Sequence, residues 1–174
     1  MLNQIDIPVR GLKQGRHSFK FEIDGEFFKG YGNTQILDAG CTVRAEVVRH
    51  QTIMKVNCLV SGFVVTQCDR CLEDLVLKVD FEREMTVGFG AVEVEGTGAE
   101  EDVVLIDPTQ GELNINQFIY DYVCLSLPIV KVHPEGKCNP DVEKYLSGES
   151  FADGSAVADT PFSNLEEMLK DKNN

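Results

Sequence analysis

The pair Cys68–Cys71 constrains this chain more than any other stretch, because it stands between two runs of strictly alternating residues. Before it, Met54, Val56, Cys58 and Val60 share one face of a stretch whose other face carries Lys55 and Asn57. After it, Leu75, Leu77, Val79, Phe81, Met85, Val87 and Phe89 fall on odd numbers, and Lys78, Asp80, Glu82, Glu84 and Thr86 on even ones. Such alternation is the mark of a strand with one wet face. Arg83 interrupts the apolar side and has to snorkel or find a partner. Strand, tight corner and returning strand make a hairpin with two thiols at its tip. A Cys-x-x-Cys corner lets both sulfurs address one point, but one pair cannot complete a tetrahedral metal site. His133 and Cys138 supply the missing donor types further along. The spacing therefore predicts that Cys68, Cys71, His133 and Cys138 hold one structural zinc that joins the corner to a distant segment. The bland alternative is that Cys71 and Cys138 are small buried residues, Cys68 is a free thiol and His133 caps a turn.

The rest of the chain is mostly strand by the same criterion. Ile5, Ile7 and Val9 alternate, and Pro8 places that strand at an edge. Phe19, Phe21 and Ile23 alternate with Ser18, Lys20 and Glu22, and Asp24-Gly25 follows as a turn, with 26–31 as a returning strand. Val43, Ala45 and Val47 alternate in turn, while 33–40 has no clear period. Ser61-Gly62 suggests a bulge. A further strand is expected at 103–106. Ile115, Phe118, Ile119, Tyr122 and Val123 fall at helical spacing, with Asn114 and Gln117 placed as a capping box and Pro128 as the stop. These elements predict an α+β fold around a mainly antiparallel sheet, with curling towards a barrel as an option, one amphipathic helix and a short C-terminal helix.

Domain organisation follows from composition. A single α+β domain is expected over residues 1–146, with a Gly- and Glu-rich acidic loop at 90–102. Residues 147–174 read as a linker and a short closing helix, in which Leu165, Met168 and Leu169 share a face. No apolar run is long enough to span a membrane, and the first residues lack the features of a signal peptide, so a cytoplasmic protein with reduced thiols is expected. The formal net charge of −13 is uneven: residues 1–83 carry 11 basic and 11 acidic side chains, and 84–174 carry 5 and 18. The acidic part repels phosphate backbones, so direct contact with nucleic acid falls to the neutral first half.

Several stretches together resemble a known family. Cys68-Asp69-Arg70-Cys71-Leu72 is similar to the Cys-x-Arg-Cys-Leu signature of the YceD-like proteins, the large ribosomal RNA subunit accumulation proteins of bacteria. Leu127-Pro128-Ile129-Val130, then Val132-His133 and Cys138, resembles that family's helix end and its His-x-x-x-x-Cys. Thr160-Pro161-Phe162 leading to Leu165 and Leu169 resembles its closing segment. The resemblance covers residues 50 to 170, roughly, and departs from the family in the acidic loop and the longer spacer at 141–160. It implies a role in accumulation or processing of large-subunit ribosomal RNA, through that RNA, a pre-ribosomal particle or a protein partner on it, and with no catalytic constellation legible a non-enzymatic factor is expected.

Other chemistry is weighed on the residues themselves. Arg44, Arg49, Lys55 and Arg70 lie on or near the strands before and at the corner and form a candidate RNA-binding strip. Taken singly, each is as well explained as an ordinary solvated residue. A redox role for Cys68 and Cys71 would need the strand-to-helix setting of thioredoxin-like sites, whereas here strands flank the pair on both sides. Cys58 and Cys124 fall on apolar faces and are expected in the core. No Ser/His/Asp order, phosphate-binding glycine loop or spaced carboxylate pair is legible, so no catalytic residue is proposed. A zinc-stabilised protein-interaction module without an RNA role is the alternative to the family reading.

Overall fold

Alternation translates into long strands. The chain runs through β1 (Asp6–Pro8), β2 (Gly15–Asp24), α1 (Gly25–Gly30), β3 (Ile36–Arg49), β4 (Ile53–Gln67), β5 (Asp74–Phe89), β6 (Asp102–Ile106), β7 (Glu112–Asn114) and α2 (Asn116–Ser126). The computed structural model describes residues 4–51, 53–90, 102–107 and 109–146. The acidic loop within its ends, and the expected closing helix with Leu165, Met168 and Leu169, lie outside the described residues. Contacts group the chain into two units, Met1–Cys138 and Asn139–Asn174. The second unit contains α3 (Pro140–Leu146), whose Asp141 pairs with Lys144 at 3.7 Å.

The first unit is built on a five-stranded sheet in the order β2-β3-β4-β5-β6. Each neighbour pair is antiparallel except β5 and β6, which run parallel with Met85 opposite Asp102 and Phe89 opposite Ile106. Among the described residues the sheet is open, with β2 and β6 as its edges, and no closed barrel forms. β1 and β7 make a separate antiparallel ladder in which Ile7 faces Leu113. The buried amide of Ile5 donates to Asn116 Oδ1 at 2.7 Å, so the start of the chain is fastened to the start of α2.

One face of the sheet carries the core. Val43, Ala45 and Val47 from β3 and Val56, Cys58 and Val60 from β4 are buried together with Ile5, Ile7, Ile115, Ile119 and Val123. Burial pushes the Cys58 thiol up to about 12, as expected of an inert core residue. Arg83 lies on this same side of β5, opposite Cys58. It finds its partner in the Tyr122 ring of α2, 5.3 Å from the guanidinium.

Three local expectations are corrected. Residues 26–31 do not return as a strand, because Asp24 acts as a helix N-cap: its Oδ1 accepts from the amides of Glu26 at 3.1 Å and Phe27 at 3.3 Å. The helix lets two consecutive aromatics, Phe27 and Phe28, both reach the core, whereas a strand would send one of them outward. At α2, Asn114 Oδ1 accepts from Asn116 at 3.1 Å, but Gln117 bonds forward to Asp121 at 2.8 Å, so no capping box closes. Finally, the ladder runs through Gly62 without a shift, and the irregularity lies between Ile36 and Asp38. Gly62 is instead a place of close approach: a Cβ there would stand 2.2 Å from the Gly40 carbonyl oxygen.

Candidate metal centre

The tip of the β4–β5 hairpin is a turn made by its own amides. Cys68 N–H donates to the Glu73 carbonyl at 2.8 Å, and Leu72 N–H donates to the Cys68 carbonyl at 2.9 Å. Leu72 takes a left-handed conformation at φ 62°, a region that non-glycine residues enter at a cost. The second half of the cluster arrives after α2. Leu127 is extended ahead of Pro128, as the proline ring demands, so the chain leaves the helix and runs alongside the knuckle. Asp69 clamps it twice. Its amide donates to the Lys131 carbonyl, and its Oδ2 accepts from the Lys131 amide, both at 2.6 Å.

This clamp brings the four sequence-predicted ligands together. The donor atoms of Cys68, Cys71, His133 and Cys138 all lie within 4.8 Å of one another. Cys68 Sγ is 3.9 Å from Cys138 Sγ, and His133 Nδ1 is 3.4 Å from Cys71 Sγ and 4.0 Å from Cys138 Sγ. A tetrahedral metal with zinc-like bond lengths sets sulfur–sulfur edges of about 3.8 Å and sulfur–nitrogen edges of about 3.6 Å. The donor set and its spacing fit a metal ion at the centre. The other ring nitrogen of His133 lies 3.2 Å from the Asp74 carbonyl oxygen. Donating its proton there leaves Nδ1 free to face the sulfurs, the arrangement in which an outer hydrogen bond fixes the tautomer of a ligand. All three thiols are buried.

The protonation pattern reflects this crowding. Burial opposes charge on Cys68, yet hydrogen bonds from the backbone of Cys71, Arg70 and His133 outweigh it and bring the thiol down to about 6. Burial, helped by the neighbouring Cys68 and Cys71 sulfurs, pushes Cys138 up to about 11. Burial works against the charged form of His133, but its hydrogen bonds to the Cys68 and Cys71 sulfurs and to Asp74 prevail and raise it. These directions favour a thiolate at Cys68 beside the His133 ring and a protonated thiol at Cys138.

Residues 56–169 match the family described as large ribosomal RNA subunit accumulation protein YceD. The chain belongs to this family. The matched span includes all four clustered donors and the Asp69–Lys131 clamp that joins them. No curated protein and no solved structure matches the chain. Among the described residues, no helix is long and apolar enough to cross a membrane.

The four basic residues expected in a strip are not brought together. Arg49 turns inward: its Nη1 donates to the Val9 carbonyl, and its guanidinium sits 5.1 Å from the Phe89 ring centroid. Lys55 pairs with Glu84 at 2.8 Å. Arg70 is on the knuckle, beyond the end of β4, while Arg44 is exposed in the middle of β3. Sequence reading also missed the two groups that hold the centre in shape. Asp69 was visible as a polar residue inside the Cys-x-x-Cys, but the Asp74 carbonyl is a backbone atom and leaves no trace in the residue types.

Proposed function

We propose that this protein is a non-enzymatic factor that supports accumulation or processing of large-subunit ribosomal RNA, acting in the cytoplasm on that RNA or on a pre-ribosomal particle. The family match carries this reading. The metal centre supports its non-enzymatic side. Four protein donors around one point leave no open position for water or substrate, which is how structural zinc differs from catalytic zinc. Zinc held by Cys68, Cys71, His133 and Cys138 would supply cohesion between the hairpin tip and the segment after α2. Depleting the protein in its host and measuring the ratio of large- to small-subunit ribosomal RNA tests the function; a selective fall of the large-subunit species is expected, and an unchanged ratio rejects it. Metal analysis of the purified chain tests the centre: about one zinc per chain in the native protein and none after Cys68→Ser with Cys138→Ser.

A second reading, a zinc-stabilised protein-interaction module, draws on apolar side chains around the same knuckle. Leu72 is 69% exposed, Val130 64% and Ile129 95%, and none of them contributes to the core. If this reading holds instead, the Leu72→Asn and Ile129→Ser variants lose association with a protein partner while the ribosomal RNA ratio stays unchanged.

A further inference from the structure

One stretch of the chain runs against its overall charge. Between Asp6 and Glu22 there is no acidic residue, while Arg10, Lys13, Arg16, His17 and Lys20 all fall inside it, in a protein of net charge −13. The fold keeps these residues at one border of the molecule. The stretch leaves β1, turns through a bond from the Leu12 amide to the Val9 carbonyl, and becomes β2, an edge strand of the sheet. Arg10, Lys13, Arg16 and Lys20 are all exposed. Arg16 and Lys20, with Ser18 between them, alternate onto the side of the sheet away from the core. Arg44 joins them from β3, directly opposite Lys20 in the ladder.

This placement is costly for the isolated protein. Like charges directly opposite each other on one face destabilise a sheet. Lys20 reaches the exposed Glu22 at 3.0 Å. No described acidic side chain forms an ion pair with Arg10, Lys13, Arg16 or Arg44. In the β2–β3 ladder, Arg16, Lys20 and Arg44 stand with two acids, Glu22 and Glu46, the latter opposite Ser18, while Glu112 lies opposite Pro8, two residues before Arg10. The far side of the same face is arranged differently. There Glu84 is answered by Lys55, Glu82 by Asn57 and Asp80 by Lys78. Arg49 then acquires a role: by donating to the Val9 carbonyl it pins the turn that displays Arg10 and Lys13.

An array of exposed cations at one border, beside acids of the same face that are engaged by Lys55, Asn57 and Lys78, is a surface for a polyanion. We propose that the β2 edge, through Arg10, Lys13, Arg16, Lys20 and Arg44, binds the phosphate backbone of ribosomal RNA. This deepens the functional reading above and rests on it. Contacts of this kind position RNA rather than read its sequence, so the surface would orient the protein on the strand.

The test uses the full chain, metal-loaded, and transcribed large-subunit ribosomal RNA titrated at several salt concentrations. Retention that weakens steeply with salt is expected, since each phosphate contact on a single strand contributes a slope of about −0.7 in log K against log salt. Lys13→Gln/Arg16→Gln/Lys20→Gln removes three contacts and should flatten that slope by about 2 while weakening binding at least ~10-fold near 0.1 M salt. Lys78→Gln, on the acidic side, should leave both unchanged. An absence of RNA retention by the native chain, or a triple variant with native affinity and slope, overturns the proposal. In depleted cells, the triple variant should fail to restore the large-to-small ratio. If it restores the ratio and binds RNA normally, the surface assignment is wrong although the family role stands. If depletion never changed the ratio, the role itself is wrong. A triple variant that fails in cells yet binds RNA normally would assign the edge to an acidic protein instead.

Discussion

The body of the sheet and its knuckle are parts of one hairpin, yet they cohere by different means. In the body, β4 and β5 contribute Val56, Val60, Val64, Val79 and Val87 to one continuous apolar core, sealed by Phe27 and Phe28 from α1 and by Ile119 and Val123 from α2. At the knuckle, Cys68, Cys71, Leu75 and Cys138 are buried too, but they stand outside that core. Their neighbours Leu72, Ile129 and Val130 face solvent. Hydrophobic burial works in proportion to the apolar area removed from water, and the knuckle removes little. What remains there is a set of hydrogen bonds and four ligand atoms around one point. The contrast teaches that a bound metal would add most where the sheet outruns its core, and it makes the two regions separable by experiment.

The largest separation is expected on metal removal. With a strong chelator, or in the Cys68→Ser variant, the amides of Cys68, Asp69, Leu72 and Lys131 should exchange roughly a thousandfold faster, while those of β3 and the middle of β4 stay protected. Uniform loss of protection would mean that the knuckle and body are one cooperative unit, and unchanged exchange would mean that no metal was holding it. Phe28→Ala should do the reverse. Emptying a fully buried aromatic site costs about 3–5 kcal/mol and should lower the denaturation midpoint of the whole sheet without releasing the metal. Gly62→Ala forces a methyl against the Gly40 carbonyl and should cost about 3 kcal/mol in the same global transition. The smallest effect belongs to Arg83→Ala, which removes one cation over the Tyr122 ring and should cost about 0.5–1 kcal/mol. A larger loss there, measured by urea denaturation, would mean that Arg83 also organises the edge of the core.

The same division decides what was legible in the sequence. Strands with one wet face announce themselves, so β2, the middle of β3, and β4 and β5 were readable from Phe19 to Phe89 by alternation alone. The beginning of β3 was not, because the irregularity between Ile36 and Asp38 breaks the period. α1 was hidden for another reason. Six residues are too few to display helical periodicity, and Asp24 serves a turn or an N-cap equally well; only the demand of the core for both Phe27 and Phe28 decides between them. The metal cluster was legible as donor types, but its closure rests on the Asp69–Lys131 clamp, a contact across 62 positions that no local pattern encodes. The placement of the basic residues was illegible for a related reason: the contacts of Arg49 and Lys55 are made with Val9, Phe89 and Glu84, which are distant in sequence.

The pairing of β1 with β7 bears on how the chain is made. β2 to β5 form a meander of neighbouring hairpins that can assemble as each strand leaves the ribosome. β1 cannot, because Ile7 must wait for Leu113, 106 residues later. At about 5–20 residues per second, that is a delay of roughly 5–20 seconds in which Ile5, Ile7 and Val9 have no ladder partner. The last of the four candidate metal donors, Cys138, follows later still. Synthesis therefore fixes an order of events in which the sheet comes first, the opening strand is recruited afterwards, and the knuckle is fastened at the end. A nascent chain stalled before Leu113 would carry an exposed apolar start and an open thiol pair, and both are features a cell's chaperones can recognise.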